Sequence, residues 1–306
     1  MRHFTDAEVD ALVDGPAAQA ALREAFVDFA HEQAAVQTRV RTEAGGVKLS
    51  TLGAVLPARG VLGAKVYSTI AGRFNFVIVL FDAVGGQVLA TFDAGALTRL
   101  RTAATTVLAA QVLARPDAAR LAVYGLGVQG REHVRQLAAA YRLKDVAVHD
   151  PWAAPEAVAT LEREIGVPIR LAAADAALAG ADLIVTASRS TTPLFDGARI
   201  GPGSFVAAIG SSLPGTRELD DAALRHAACI AVDWPAQACA ETGDLLLADP
   251  AALQGKLVAL ADVLAGRAPG RRHADEITLY KSVGIGLQDI ALAGLAWRRA
   301  QAAAAP

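Results

Sequence analysis

The segment Leu121-Ala-Val-Tyr-Gly125-Leu-Gly127-Val-Gln-Gly130 carries the clearest chemistry in this chain of 306 residues. An apolar run that reads as a strand enters three glycines spaced GxGxxG, and a helical pattern follows. Gly125 permits a tight turn, Gly127 lets a pyrophosphate approach the backbone, and Gly130 lets the helix pack on the strand. A helix opening with Val128 and Gln129 presents free N–H groups and a positive dipole end to phosphate. Asp150 ends the next strand, 20 residues after Gly130. That is the spacing of a carboxylate for the adenosine ribose hydroxyls. A carboxylate there repels a 2′-phosphate, and Pro151-Trp152 follow it rather than an arginine. NAD(H) is the expected cofactor, with NADP(H) as the alternative. Ser188 and Ser190 follow a parallel-type strand and are placed to line the nicotinamide crevice at its C-terminal end.

The rest of the composition narrows the chemistry. None of the six histidines pair at metal-ligand spacing, and Cys229 and Cys239 form neither a disulfide framework nor a zinc motif. No metal is expected. A net charge of −2 with no basic run argues against a nucleic-acid partner. Hydrophobic residues make up 53% of the chain, enough for a sizeable core, yet no apolar run is long enough to span a bilayer. Without a signal-peptide pattern in MRHFTDAEVDALVDG, the expected location is cytoplasmic.

These residues need elements to hold them. Thr5 and Glu8 form a capping-box pattern, and a second helix follows Pro16. From about Val36 the apolar period becomes two, predicting strands at 36–43, 47–52, 61–67, 74–81 and 87–93. Gly45-Gly46 and Gly85-Gly86 read as tight turns. A helix over 95–113 then leads to Arg115-Pro116. Beyond it, short apolar runs at 120–124, 145–149, 169–172, 182–187, 204–209 and 229–233 alternate with helical or loop segments. That alternation predicts a parallel, doubly wound sheet. A strand or loop and then a helix cover 276–296, with a frayed alanine-rich tail from Gln301. The fold class is therefore α/β, a Rossmann-type dinucleotide domain beside an α+β domain with a largely antiparallel sheet.

Several further runs carry a resemblance. Lys65-Val-Tyr-Ser68, Leu89-Ala-Thr-Phe-Asp-Ala94 and Leu97-Thr-Arg-Leu-Arg-Thr-Ala-Ala104 stand in order before the glycine loop. Ala208-Ile-Gly210, Arg217-Glu-Leu-Asp220, Glu241-Thr-Gly-Asp244 and Tyr280-Lys-Ser-Val-Gly284 stand in order after it. Together they resemble the ornithine cyclodeaminase/mu-crystallin family over nearly the whole chain. The resemblance implies a discontinuous substrate-binding and dimerisation domain, 1–115 plus 285–306, around a Rossmann domain at 116–284. It implies a homodimer and a role in amino-acid metabolism.

It also implies site residues. The family lysine matches Lys65, which sits in the otherwise apolar strand Val61-Leu-Gly-Ala-Lys-Val-Tyr. A lysine there needs an anionic partner or a route to water, and the chain has only five lysines. The family arginine matches Arg101, expected to clamp a substrate carboxylate or reach a cofactor phosphate. A third cation is Arg39 or Arg41, which strand alternation puts on one face, with the count to Gly45-Gly46 favouring Arg39. Gly210, Ser212 and Ser282 join the cofactor side. Arg73, in a loop 67–76 that looks shorter than in relatives, has no assigned place.

One departure bears on the reaction. Cyclodeaminases carry an aspartate where Ile209-Gly-Ser-Ser-Leu-Pro-Gly215 has Ser212, and a serine is a poor base without an activating partner. The mu-crystallin branch also has a serine there. The expected activity is thus NAD(P)H-dependent reduction of a small cyclic imino acid, such as pyrroline-2-carboxylate or piperideine-2-carboxylate. The alternatives are an ornithine cyclodeaminase, with Asp233 standing in for the missing carboxylate, and an alanine-type amino-acid dehydrogenase. The proton donor stays open among the protonated substrate, water and Lys65.

Overall fold

In the computed structural model, residues 1–304 are described. The chain divides into two compact units, Met1–Thr105 with Gly284–Pro306, and Thr106–Val283. The first contains β1 (Arg2–Phe4), α1 (Asp6–Leu12), α2 (Gly15–Ala30), β2 (Ala35–Val36), β3 (Val40–Ala44), β4 (Val47–Leu56), β5 (Val61–Ile70), β6 (Arg73–Asp82) and β7 (Val88–Asp93). The helix α3 (Gly95–Leu113) follows, and the division falls inside it rather than at Pro116. The helix is buried on nearly every face around that point, polar Arg101, Thr102, Thr105 and Thr106 as well as Ala103, Ala104, Val107 and Leu108, and so continues unbroken across the division.

The sheet of this unit runs β1-β7-β6-β5-β4-β2, with β3 also paired to β4. All of its ladders are antiparallel except β1 on β7. The capping box forms as expected: the Thr5 side chain accepts from Glu8 N, and Thr5 N donates to the Glu8 carboxylate. The expected strand 36–43 is broken, because residues 37–39 leave the ladder between β2 and β3. Gly45 and Gly46 have φ of +56° and +77°, the left-handed pair a two-residue hairpin turn needs. The segment 67–76 is a long hairpin closed by Ala71 and Gly72, and Arg73 stands exposed at its end.

The second unit contains β8 (Arg120–Tyr124), α4 (Val128–Ala140), β9 (Asp145–His149), α5 (Pro155–Ile165), β10 (Ile169–Leu171), α6 (Ala174–Leu178), β11 (Leu183–Thr186), β12 (Phe205–Ala208), α7 (Asp221–His226) and β13 (Ala227–Val232). Three short helices, α8 (Pro235–Glu241), α9 (Gly243–Leu246) and α10 (Pro250–Leu253), precede β14 (Leu257–Ala259), α11 (Leu260–Leu264) and β15 (Ile277–Lys281). Its strands pair in the order β10-β9-β8-β11-β12-β15-β13-β14, every pair parallel. The apolar runs of β8, β11 and β12 are buried on both faces, which is why they read as continuous rather than alternating. The order reverses between β8 and β11, and that switch point is where such sheets open a ligand crevice. The last helix, α12 (Gly286–Ala304), belongs to the first unit. It carries the alanine-rich tail as helix through Ala304, so the fraying expected from Gln301 is not seen there; the remainder of that tail lies outside the described residues.

Candidate active site

Two constellations stand out, one in each unit. The first is built on the glycine loop. Gly125 has φ +95°, and a Cβ on it would lie 2.7 Å from Ala187 O. A Cβ on Gly130 would lie 1.9 Å from Gly125 O, so that position excludes every side chain. Gly127 differs: nothing lies within 4 Å of its added Cβ, so its bare backbone faces open space. The fold itself thus requires glycine at Gly125 and Gly130, whereas Gly127 leaves the backbone open to close approach. α4 begins directly after Gly127, which as N-cap has no side chain to offer, and Val128 stands exposed at that end. This backbone fits a pyrophosphate without adjustment.

Asp150 locks the loop from the side. Its Oδ2 accepts from Leu126 N at 2.7 Å and its Oδ1 from Trp152 N at 2.9 Å. Both oxygens keep lone pairs for ribose hydroxyls. A cavity of about 490 Å³ opens here, lined among others by Gly127, Asp150, Trp152, Ser188 and Arg189. Gln129 is half-buried in the first turn of α4. His133, in the same helix, is fully buried, with Nδ1 against Gln129 O and Nε2 against Thr106 Oγ1. The carbonyl only accepts, so Nδ1 carries the proton and the ring acts as a clamp between residues.

A buried carboxylate beneath the crevice was not singled out by the sequence reading. Glu218 is fully buried and accepts from Ser188 N and Oγ (both 2.7 Å), Thr186 Oγ1 (2.9 Å), Gly210 N (2.7 Å) and Ser211 N (3.2 Å). It therefore ties the loop after β11 to the loop after β12. Gly210 is required there, since a Cβ would stand 2.0 Å from Ser188 O. Burial pushes the Glu218 carboxyl up, against the lowering effect of Lys281. Lys281 is itself buried, ion-paired with Asp244 at 3.0 Å, and Asp244 accepts from the Glu218 and Leu219 N–H groups. Ser282 is buried and donates to Asp233 at 3.1 Å. Asp233 also accepts from Val283 N at 2.8 Å and from the Tyr280 hydroxyl. Ser212 is half-buried in its loop, beside Ser211, whose hydroxyl donates to Thr216 O at 2.6 Å.

The second constellation is a cluster of three cations. Lys65 is 2% exposed and its Nζ lies 2.8 Å from each carboxylate oxygen of Asp289. Arg101 is also buried; its Nε donates to Asp289 Oδ1 at 3.3 Å and its Nη1 to Gln288 Oε1 at 2.8 Å. Arg39 donates from Nη2 to Gly284 O at 2.7 Å. Gly284 has φ +73°, and a Cβ on it would stand 2.8 Å from both terminal nitrogens of Arg101. Arg39 leaves the β ladder, whereas Arg41 stays in it opposite Ser50, so strand alternation does not relate the two. It is Arg39, with Arg101 and Asp289, that acts electrostatically on Lys65.

Burial lowers the Lys65 pKa to about 7, with Arg101 and Arg39 adding to the fall and Asp289 opposing it. Burial alone would raise the Asp289 carboxyl, but Lys65, Arg101 and Arg39 together hold it below its ordinary value. With Lys65 protonated, these four groups carry three positive charges and one negative. A buried excess of this kind suits an anion that brings hydrogen-bond acceptors.

A parallel sheet with a glycine-loop crevice at its switch point defines a dinucleotide-binding α/β protein, here combined with a largely antiparallel unit that holds the cluster of cations around Asp289. The family model described as ornithine cyclodeaminase/mu-crystallin family matches residues 1–303, and the chain belongs to that family. The Delta(1)-pyrroline-2-carboxylate reductase of Bacillus cereus is 30% identical over 84% of this chain and 78% of its own. The mouse ketimine reductase mu-crystallin is 29% identical over 81% of this chain and 79% of its own. A crystal structure from Bordetella pertussis Tohama I, described as a probable ornithine cyclodeaminase, is 57% identical with a TM-score of 0.98, covering 99% of this chain and 98% of that one.

Proposed function

We propose that this chain reduces the C=N bond of a small cyclic imino acid with a nicotinamide cofactor, NADH in preference to NADPH. The observation that carries this reading is the cluster of buried Lys65 and Arg101 on the single carboxylate of Asp289, with half-buried Arg39 close enough to act on it electrostatically. Bound NADH supplies the hydride for the C=N carbon. Arg101 and Arg39 hold the substrate carboxylate, and Lys65 orients the imine. Asp289 and Thr98 fix the Lys65 ammonium, the latter accepting at 3.4 Å. With a pKa of about 7, Lys65 gives up a proton readily and is the donor we assign to the imine nitrogen. On the cofactor side, Gly125, Gly127, Val128, Gln129 and Gly130 hold the pyrophosphate, and Asp150 the ribose. Ser188, Gly210 and Ser212 border the nicotinamide. Ser282 joins that border, its hydroxyl oriented by Asp233.

The relatives support the reaction class: one reduces pyrroline-2-carboxylate by name and another is a ketimine reductase. Purified protein mixed with NADH and pyrroline-2-carboxylate or piperideine-2-carboxylate should lose nicotinamide absorbance. No turnover of any cyclic imine with either cofactor sinks the proposal. The Bordetella pertussis relative favours a second reading, conversion of ornithine to proline and ammonia. That reading predicts ammonia release from ornithine with no net change in NADH. Ser212 in place of a carboxylate weighs against it.

We also propose a homodimer formed through the outer face of the antiparallel sheet. Leu49, Val55, Ile70 and Val77 each expose a third or more of their surface on that face.

A further inference from the structure

The hairpin of β5 and β6 carries a row of aromatic rings outward from the buried lysine. Tyr67 pairs with Phe76 and Thr69 with Phe74 across the ladder, so all four share the face of Lys65. The Lys65 Nζ stands 5.4 Å from the centre of the Phe76 ring. Tyr67 and Phe76 are 5.1 Å apart, centre to centre. Phe74 and Phe76 stack at 5.7 Å with planes 3° apart. Phe74 is 41% exposed, which a hydrophobic ring at a hairpin end does not need for folding. The turn at Ala71 and Gly72 is only two residues long, so the strands stay paired and the three rings stay in register.

We infer that Tyr67, Phe76 and Phe74 form a specificity wall, and that the preferred substrate is a cyclic 2-imino acid bearing an aromatic ring. The inference rests on the imine-reductase reading above and names its substrate class. With the carboxylate on the cations, the body of the substrate lies within reach of Phe76. Its ring then meets aromatic faces and edges rather than charge. A second carboxylate would need a further cation on this face; Lys48, opposite Thr69, is already paired with Glu43, and Arg41 stands two strands from Lys65, about 10 Å across the sheet. A side-chain amine would need an anion, and Glu43 on β3 is already paired with Lys48 at 3.0 Å. The reaction balances as before: hydride adds to the C=N carbon, the π pair moves to nitrogen, nitrogen carries the proton, and NADH becomes NAD⁺.

The test compares kcat/KM of the full chain with NADH for three imines. These are dihydroisoquinoline-1-carboxylate, pyrroline-2-carboxylate and iminosuccinate. The aryl-fused imine should exceed pyrroline-2-carboxylate by about tenfold, a typical gain for one well-packed aromatic contact. Phe74→Ala and the milder Phe76→Leu should each bring that ratio toward one. If pyrroline-2-carboxylate is reduced as well as the aryl-fused imine, the wall is not a specificity element and the inference fails alone. Preference for iminosuccinate overturns it in favour of the cations on the same face, Lys48 and Arg41. If no imine is reduced, the reductase reading and this inference fall together.

Discussion

At the scale of single residues, the site turns on how Lys65 is kept. A buried ammonium without a partner is costly, and Asp289 supplies the partner. The two are 224 positions apart, so no local pattern links them. Lys65 is legible from its apolar strand; its anion is not. Lysine scarcity was a weaker argument than it looked, because Lys281 is equally buried and serves the loops instead. The titration of Lys65 has a definite sign. Below about pH 7 it is charged and can give up a proton to the imine; above, that role fades. The kcat/KM for imine reduction should therefore fall above about pH 7, measured with saturating NADH. Lys65→Met should lower kcat by about a hundredfold or more while NADH affinity, read by fluorescence titration, changes little. Removing the anion is a different matter. Asp289→Ala should cost about 3–5 kcal/mol of stability in urea unfolding, since it strands a buried charge.

Elements decide which glycines matter for folding and which for binding. The glycine loop was legible because a strand, a turn and a helix start are contiguous in sequence. Their separate tasks were not, because each depends on backbone from elsewhere: Ala187 O against Gly125, Gly125 O against Gly130. Gly127→Ala should fold normally and weaken NADH binding about tenfold or more, because its Cβ enters only the open side. Gly130→Ala should disrupt the loop itself, visible as loss of thermal stability before any ligand is added. Glu218 is the counterpart beneath the crevice. Arg217-Glu-Leu-Asp220 was noticed as a run, but its glutamate had no role until five donors were seen to converge on it. Glu218→Gln places an amide N–H₂ among those donors. It should cost about 1–3 kcal/mol, read from the urea midpoint.

The whole molecule poses a question of surface. The outer sheet face exposes Leu49, Val55, Ile70 and Val77, and a groove of about 430 Å³ crosses it near Gly53, Val55, Leu62 and Ala64. The proposed dimer would cover these apolar side chains. Leu49→Lys or Val77→Lys should shift the protein from dimer to monomer in sedimentation velocity. A wild-type chain that sediments as a monomer at all concentrations would remove the dimer proposal. Strand alternation made this face legible in outline, because period-two patterning marks one side of a strand from the other. Which side lacked a covering helix was not legible, since α12 arrives from the far end of the chain.

Taken alone, the sequence determined the α/β class, the parallel sheet of the second unit, the glycine loop between its strand and helix, and membership of the family. Each of these is written in short-range periodicity, in glycine spacing or in runs that stand in order. Tertiary structure alone decided that Asp289 anchors Lys65 and Arg101, that Arg39 leaves the ladder where Arg41 does not, and that Glu218 gathers two crevice loops. It also decided that Ser282 faces Asp233 and that three aromatic rings line up beside the lysine. The physical reason is common to all. A buried charge or a packed ring is defined by its partners, and those partners come from strands and helices that only folding brings together.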